Sequence, residues 1–222
     1  MKTQRTAAAA LALAGGTVAV LVGTRRWHQH WGATDDEIAR PLPGDDLIAD
    51  SKLDSTHAIT IHAPAERIWP WLAQAGYGGR AGFYSYDVLE RRFGARNTDR
   101  LHPELPALTA GDTVPFAPGM PMTVAVADPP HALVLWQVTS ANKAIDPTGP
   151  WGDDHVAWSW AFVLQPVDAG TTRLLTRMRI TYRPTAKWAP YVWLLLEPGH
   201  FVMGRRQLLG LRDQAEVTSR TA

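Results

Sequence analysis

A strand that runs directly into a short aromatic helix is the feature that most constrains this fold, and it lies within residues 54–87. Residues 57–62, His-Ala-Ile-Thr-Ile-His, alternate as a strand with one buried face does. Pro64 and Glu66 then predict a helix start, because proline suits the first helical position and glutamate complements the helix dipole there. The following positions are too apolar for a solvated helix: Ile68, Trp69, Trp71 and Leu72. The stretch therefore predicts a domain that holds a hydrophobic molecule.

Further strand candidates follow this helix, with turn residues at their joints. They are Asp112–Phe116, Met122–Ala127, His131–Val138, Val156–Gln165 and Thr172–Tyr182. In the last one, the even-numbered residues from Leu174 to Tyr182 share one mainly apolar face, and Arg173, Arg177 and Arg179 share the other. We expect the first face to meet a core or a cavity and the arginine face to meet water.

The strand candidate at 156–165 differs in side-chain size between its two faces. One face carries Val156, Trp158, Trp160, Phe162 and Leu164, and the other carries Ala157, Ser159, Ala161 and Val163. Bulky aromatic side chains on a concave sheet can line a pocket, but packing beneath a helix would give the same pattern. Both interpretations are open at this point.

Pro198 and Gly199 divide the C-terminal part of the chain. Before them, residues 188–196 form an apolar run that is too short to span a bilayer but suits an interfacial segment or a hydrophobic lid. After them, apolar residues recur at steps of three and four, which predicts an amphipathic helix. The stripe consists of Phe201, Gly204, Leu208, Leu211 and Ala215. Gly204 either leaves space for another molecule or lets the helix pack closely on a sheet.

The N-terminus carries 19 residues without a charge, Thr6 to Thr24, between basic residues at both ends. A spanning helix needs roughly 20 mainly apolar residues, so we expect residues 1–26 to form a retained, single-pass membrane anchor. A cleaved signal peptide and a soluble segment are the alternatives. Basic residues flank both sides nearly equally, so the side of the membrane is not determined. Residues 27–53 are predicted to be a tether between the anchor and the domain.

Composition argues against several classes of protein. The formal net charge is +1, from 22 basic and 21 acidic residues, and the scattered arginines argue against nucleic acid as a partner. The absence of cysteine excludes disulfides, thiolate metal sites and a cysteine nucleophile. No serine–histidine–acid order and no phosphate loop is present, and no cofactor is predicted.

Two sets of ionisable residues are candidates for chemistry. Tyr84, Tyr86 and Asp87 could supply a proton donor and an acceptor, although Asp87 also suits the cap of the following helix. Glu197 and His200 are three positions apart, but the intervening proline and glycine break the helical spacing that a carboxylate-bridged metal site needs. We therefore assign no catalytic residue and no metal ligand.

The order of elements and several motifs resemble a known fold family. Residues 59–72 look like the opening of that family, and residues 129–135, the hairpin at 159–177 and the final helix add support. Over about 54–217, with a short tail at 218–222, the chain resembles the helix-grip fold of the START, polyketide-cyclase and Bet v 1-like superfamily, abbreviated SRPBCC. More narrowly, five motifs are similar to those of membrane-tethered bacterial members. They are Arg26-Trp27 and residues 31–35, 40–45, 82–87 and 196–203.

This resemblance implies an α+β fold, in which an antiparallel sheet wraps a long C-terminal helix and leaves a cavity, preceded by an N-terminal transmembrane helix. It also implies that the ligand-binding residues lie around the cavity and its mouth. The candidates near the cavity are Trp69, Trp136, Trp158, Trp160, Phe201 and Gly204, and those near the mouth are Phe83, Tyr84 and Tyr86.

The expected function is membrane-tethered binding of a hydrophobic small molecule or lipid. The helix-grip fold hosts carriers, cyclases and aromatases, so a polyketide cyclase- or aromatase-like enzyme is the first alternative. It would use Tyr84, Tyr86 and Asp87, or His200. The second alternative is an interaction domain whose cavity is filled by its own tryptophans. The expected partners are the ligand and the membrane, and not nucleic acid.

Overall fold

The computed structural model describes residues 23–92, 94–140 and 143–220, together with residues 16 and 20. The anchor predicted for residues 1–26 lies mostly outside these ranges and stays a prediction. Within the described ranges, no helix combines the length and the hydropathy that crossing a membrane requires.

Turns and several longer loops join the helices and strands along the chain. The helices are α1 (Arg25–Gln29), α2 (Asp35–Ala39), α3 (Ala65–Ala73), α4 (Asp87–Arg92), α5 (Thr185–Tyr191) and α6 (Glu197–Arg220), with a 3-10 turn at Asp45–Ile48 and a π-helical turn at Val192–Leu196. The strands are β1 (Leu53–Ile61), β2 (Thr113–Ala117), β3 (Met120–Asp128), β4 (Ala132–Ser140), β5 (Lys143–Ile145), β6 (His155–Asp168) and β7 (Thr171–Arg183).

In the described part of the chain, seven strands form one antiparallel sheet in the order β1-β7-β6-β4-β3-β2, with β5 paired to β4. The long hairpin of β6 and β7 forms its centre, and β1 pairs with β7 from Leu53 opposite Ile180 to Ile61 opposite Thr172. Each strand predicted from the alternation is present. The α+β class with an antiparallel sheet is therefore confirmed.

One face of the sheet, called the inner face here, carries the core and meets the terminal helix. It presents large side chains of β6 and β7, among them Trp160, Phe162 and Met178, which cluster with buried residues of α6. On α6, Leu208 and Leu211 are fully buried in this cluster, so the predicted apolar stripe is present. A sheet packed around a long C-terminal helix is the arrangement that the helix-grip resemblance implied.

The C-terminal region is continuous rather than divided at its proline. The chain passes from α5 through the π-helical turn directly into α6. Pro198 is the second residue of α6. The first N–H groups of a helix have no acceptor within that helix, so a proline, which has no N–H, is tolerated there. The wider π-helical turn just before it accommodates a residue that cannot donate to the preceding turn.

The opposite, outer face of the sheet is covered by residues 33–48. Leu42 packs with Ala58 of β1 and Leu175 of β7, and Ile48 packs with Val138 of β4. The segment expected to be a tether therefore lies against the sheet as part of the folded domain. The alternation of polar and apolar residues in β7 did not predict this covering segment, because it shows which residues share a face and not whether solvent or another part of the chain contacts that face.

Arg177 shows why the arginine face is not solvated as expected. Its guanidinium is 6% exposed and donates to Thr56 Oγ1 at 3.0 Å and Asp45 Oδ2 at 2.6 Å. It also donates to the carbonyl oxygens of Glu37, Ile38 and Arg40 at 2.8–3.0 Å. The N-terminal segment supplies these acceptors, so the expectation that this face meets water was wrong at Arg177.

Candidate functional site

An aromatic cluster lies on the inner face where β2, β6 and the loop before α4 meet. We define it as Phe83, Phe116, Trp158 and Trp160. The Phe116 ring lies 5.4 Å from Phe83, 5.0 Å from Trp158 and 5.9 Å from Trp160 between ring centroids. Phe83 and Trp160 are buried, whereas Phe116 and Trp158 keep part of their surface exposed. The cluster thus reaches from the core to the surface.

A pair of histidines adjoins this cluster. The rings of His57 on β1 and His200 on α6 are stacked, with centroids 5.6 Å apart and planes 20° apart. His200 also meets Trp160 edge-on at 5.7 Å. His57 is 1% exposed, and its Nε2 donates to the carbonyl oxygen of His28 at 2.7 Å. Its other ring nitrogen, Nδ1, is buried and has no hydrogen-bond partner in the described chain.

Both histidines are neutral at pH 7. Burial lowers the pKa of His57 to about 4, against a smaller opposing effect of its hydrogen bond to His28. Burial, with a minor contribution from the neighbouring His57, lowers the pKa of His200 to about 3. Since His57 Nε2 donates, its Nδ1 is an unprotonated acceptor. The site therefore combines aromatic surface with one unused acceptor.

Several of the residues predicted from the sequence meet at this place. Trp158 and Trp160 belong to the aromatic cluster itself. Gly204 lies beneath His200, where an added Cβ would be 3.6 Å from the imidazole ring. Phe201 contacts His57 edge-on at 5.8 Å and Trp27 at 5.1 Å. Strand alternation and helix periodicity gave the apolar face of each element, the helix-grip resemblance implied that these faces meet, and the fold joins them.

Other predicted residues lie elsewhere. Trp136 pairs with Ser159, so it projects from the outer face and does not join the cluster. Trp69 is partly buried against the core, and Tyr86 is 42% exposed. Tyr84 is buried, and its phenol oxygen accepts a hydrogen bond from Gln74 Nε2 at 2.7 Å.

The tyrosine and aspartate that suggested acid–base chemistry do not converge. Burial raises the pKa of Tyr84, which keeps its phenol protonated. Asp87 is exposed, accepts from Asn97 Nδ2 at 2.8 Å and faces Arg91 at 3.5 Å. The buried carboxylate of this region is instead Glu90, which accepts the backbone N–H groups of Phe83 and Ser85 at 2.8 and 2.7 Å. Glu90 thus fixes the loop that carries Phe83.

Glu197 connects the first helix to the terminal helix. Its buried carboxylate accepts from Arg25 Nε at 3.0 Å, His28 Nε2 at 2.9 Å and Gln29 Nε2 at 3.0 Å, which fastens α1 to the start of α6. It therefore does not pair with His200, which stacks on His57 instead. No group of residues suited to holding a metal ion occurs in the described part of the chain.

The space between the sheet and α6 is nearly filled. A void of about 10 Å³ lies there, lined by residues that include Leu72, Phe83, Phe162 and Gln207. Such a void holds about one water molecule. His57 and Phe116 were not singled out from the sequence. The available signal for His57 was its alternation with Ile59 and Ile61, which puts a histidine on an apolar face.

Comparison with known proteins finds similarity in structure only. No protein-family model matches the sequence, and no curated protein does. A hypothetical protein, jhp0584, from Helicobacter pylori has a TM-score of 0.46 and 15% identity, over 80% of this chain and 96% of that one. Norcoclaurine synthase from Thalictrum flavum has a TM-score of 0.41 and 14% identity, over 83% and 96%. A conserved protein from Geobacillus kaustophilus has a TM-score of 0.41 and 14% identity, over 73% and 95%.

Proposed function

We propose that this domain binds a hydrophobic small molecule or lipid against the aromatic cluster and is tethered to a membrane by residues 1–26. The observation that carries the proposal is the combination of exposed aromatic surface and an unused polar atom. Phe116 and Trp158 keep exposed surface, and the neutral His57–His200 pair meets Trp160 of the same cluster through His200. Ligand pockets in proteins have this composition, mostly apolar and aromatic with few polar groups.

The free nitrogen of His57 gives the ligand an orientation. A buried acceptor without a partner costs about 1–3 kcal/mol. A ligand hydroxyl or N–H group that donates to His57 Nδ1 would recover part of this energy. Because both histidines are neutral, the pocket favours an uncharged head group over a carboxylate. The favoured ligand is therefore a largely hydrocarbon or aromatic molecule with one donor.

Ligand entry requires side chains to move, since the void between the sheet and α6 is only about 10 Å³. The π-helical turn at Val192–Leu196 precedes α6, which carries His200, and its residues from Trp193 to Leu195 are exposed. π-helical turns are frequent at functional sites. Displacement of this turn would open the cluster, and each Å² of apolar ligand surface buried would contribute about 25 cal/mol before ordering costs.

Membrane tethering is proposed from the surface around the same turn. Trp193 and Leu194 are each 50% exposed, Leu195 is 65% exposed and Trp27 of α1 is 59% exposed. We call these residues the apolar patch. The Arg25 guanidinium lies 5.2 Å from the centroid of the Trp193 ring. The patch therefore adjoins the point where the uncharged segment at 6–24 joins the domain, which suits contact with a bilayer surface.

The small void also favours a second candidate, an interaction domain filled by its own aromatic residues. In that case the aromatic cluster is core packing, and the apolar patch contacts a protein partner. The two candidates differ in one measurable property, which is whether the domain takes up a lipid.

Native mass spectrometry of the full chain tests the proposal. The protein is incubated in detergent micelles with 9,10-dibromostearic acid and a total lipid extract, and is then released from the micelles for measurement. We expect one bound lipid or fatty acid per chain, and quenching of tryptophan fluorescence by the brominated probe. Gly204→Leu should abolish uptake, because its side chain would extend from a Cβ that already touches His200 at 3.6 Å.

Gly199→Leu is the matched control on the same helix, since a Cβ there meets nothing within 4 Å. This variant should bind like the parent protein. A folded parent protein that stays empty, with unquenched fluorescence, would refute lipid binding and leave the filled interaction domain. Circular dichroism of both variants separates lost uptake from lost folding.

A further inference from the structure

A second, larger pocket lies on the other side of the sheet. Its volume is about 500 Å³, within the range of roughly 300–1,000 Å³ that small-molecule sites occupy. It is formed between β1 and β7 and the N-terminal segment that covers the outer face. Its polar lining consists of His30, Arg40, Asp45, Asp54, Arg177 and Arg179, with Asp46 and Thr56 beside them.

The floor of this pocket is held rigidly by ion pairs. All three nitrogen atoms of the Arg177 guanidinium donate hydrogen bonds, to Thr56, Asp45 and backbone carbonyls of the N-terminal segment. Arg179 lies 3.6 Å from Asp45 and 3.1 Å from Asp54. Such a network fixes the shape of the pocket without a ligand, so binding there requires little ordering of the floor.

Positive charge exceeds negative charge among the buried groups. The side chains of Arg177, Arg179 and Asp45 are each less than one-fifth exposed, whereas Asp54 is half exposed. Two guanidinium groups thus face one shielded carboxylate. Asp46 and Asp54 are exposed, and water screens their carboxylates more than it screens the buried arginines. The inner part of the pocket therefore attracts an anion.

Among the lining residues, two buried nitrogen atoms have neither a hydrogen-bond partner nor an ion-pair partner in the described chain. They are Arg40 Nε and His30 Nδ1. Arg179 Nε, which also has no hydrogen-bond partner there, lies 3.1 Å from Asp54 Oδ1 in an ion pair. The other end of the Arg40 guanidinium is fixed, because its Nη2 donates to Gln165 Oε1 at 2.5 Å. An arginine Nε–H can only donate, and a buried donor without an acceptor is costly. These atoms are the polar contacts that the fold leaves unused.

We propose that this outer pocket binds the oxyanion of a small molecule, a carboxylate or a phosphate, through Arg40 Nε and His30 Nδ1. The proposal is independent of lipid binding on the inner face, since it rests on other residues and another cavity. A planar guanidinium with a free N–H suits both kinds of oxyanion.

The charge state of His30 supports this assignment. Burial, together with Arg26 and Arg177, lowers the pKa of His30, and Asp35 and Asp54 oppose that effect. His30 is therefore mainly neutral at pH 7 in the empty pocket. An anion placed beside it acts in the opposite direction and raises its pKa.

The test is an NMR titration of the full chain in detergent micelles with selectively labelled histidine. Inorganic phosphate and sodium acetate are added separately, with sodium chloride replaced so that ionic strength stays constant. We expect saturable shifts of the His30 signals and a raised His30 pKa in at least one series. The series with the lower dissociation constant identifies the oxyanion as phosphate or carboxylate.

Arg40→Gln should weaken binding at least tenfold, because it removes both a charge and the free donor. Arg26→Gln is the matched control: it removes the same charge near His30 from an exposed side chain and should weaken binding less than about threefold. Should Arg40→Gln not fold, His30→Gln replaces it, followed through the ring signals of His57. Equal weakening by the arginine variants, or shifts that sodium chloride reproduces, would overturn the proposal.

Discussion

The two faces of the sheet are packed by different interactions, although the same strands build both. The inner face is filled with aromatic and aliphatic side chains and leaves about 10 Å³ beneath α6. The outer face is covered through arginines that bond to a separate chain segment, and it leaves about 500 Å³. Dispersion contacts are non-directional and favour close packing, whereas hydrogen-bonded ion pairs hold two surfaces at a set separation.

The two faces therefore differ in how a ligand could bind to them. On the inner face a ligand must displace side chains, so uptake depends on movement of the turn at 192–196. On the outer face the space is already present and its charged floor is fixed. We therefore expect mutations on the outer face to have large effects on stability, and single polar changes on the inner face to have smaller ones.

Arg177→Met should give the largest effect. It removes the guanidinium that donates to Asp45 and to three carbonyl groups, and breaking a buried ion pair in this way costs about 3–5 kcal/mol. The measurement is the free energy of unfolding of the full chain in urea, followed by near-ultraviolet circular dichroism. Arg96→Met, at an exposed position, should change it by less than about 0.5 kcal/mol. Similar values for both variants would show that the outer-face network is not a main source of stability.

The histidine pair of the inner face predicts a pH dependence of stability. Because the folded-state pKa values, about 4 for His57 and about 3 for His200, lie below the ordinary value of 6.5, the unfolded chain binds protons that the folded chain does not. The free energy of unfolding should therefore fall as pH falls from 6.5 towards 4. Each histidine contributes up to about 1.4 kcal/mol per pH unit.

His57→Gln isolates this contribution, since glutamine can still donate to the carbonyl of His28. Urea unfolding at several pH values between 4 and 6.5 should give a shallower slope for the variant, by up to about 1.4 kcal/mol per pH unit. An unchanged slope would mean that His57 is already protonated in the folded protein.

Thr176→Val should give the smallest of these effects. Its hydroxyl accepts the indole N–H of Trp160 at 2.9 Å, and the replacement keeps the shape while removing the acceptor. The loss of one neutral hydrogen bond in the core should cost about 1–2 kcal/mol in urea unfolding. A double variant with Trp160→Phe reports whether the cost comes from the unpaired N–H group. A cost as large as that of Arg177→Met would erase the contrast between the two faces.

Part of the candidate site was predictable from local patterns. Trp158 and Trp160 alternate on one strand, and Gly204 lies on the apolar stripe of the terminal helix. These patterns indicated one apolar face on each element, and the helix-grip resemblance implied that the two faces meet. Trp136 shows the limit of this reasoning. β4 is largely apolar on both faces, and only its pairing with Ser159 shows that Trp136 projects outward.

The arginine face illustrates the same limit on the other side of the sheet. Alternation separated Arg177 from the apolar residues of β7 but did not identify the segment that covers it. Residues 27–53 carry two tryptophans suited to a membrane interface, Trp27 and Trp31, an acidic run at 35–37 and a proline- and glycine-containing loop at 41–45, which suggested a tether. Asp45 and the carbonyls near Ile38 become partners of Arg177 only when that segment folds back on the sheet.

The sequence by itself determined which residues share a face and the amphipathic terminal helix, because these follow from side-chain periodicity within one element. The antiparallel α+β architecture was implied by the resemblance of the motifs to the helix-grip fold. The tertiary structure alone decided that His57 stacks on His200, that Glu197 holds α1, and that an outer pocket forms above Arg177. Each of these pairs residues from distant parts of the chain. Local periodicity carries no information about such contacts, since they depend on how whole elements pack.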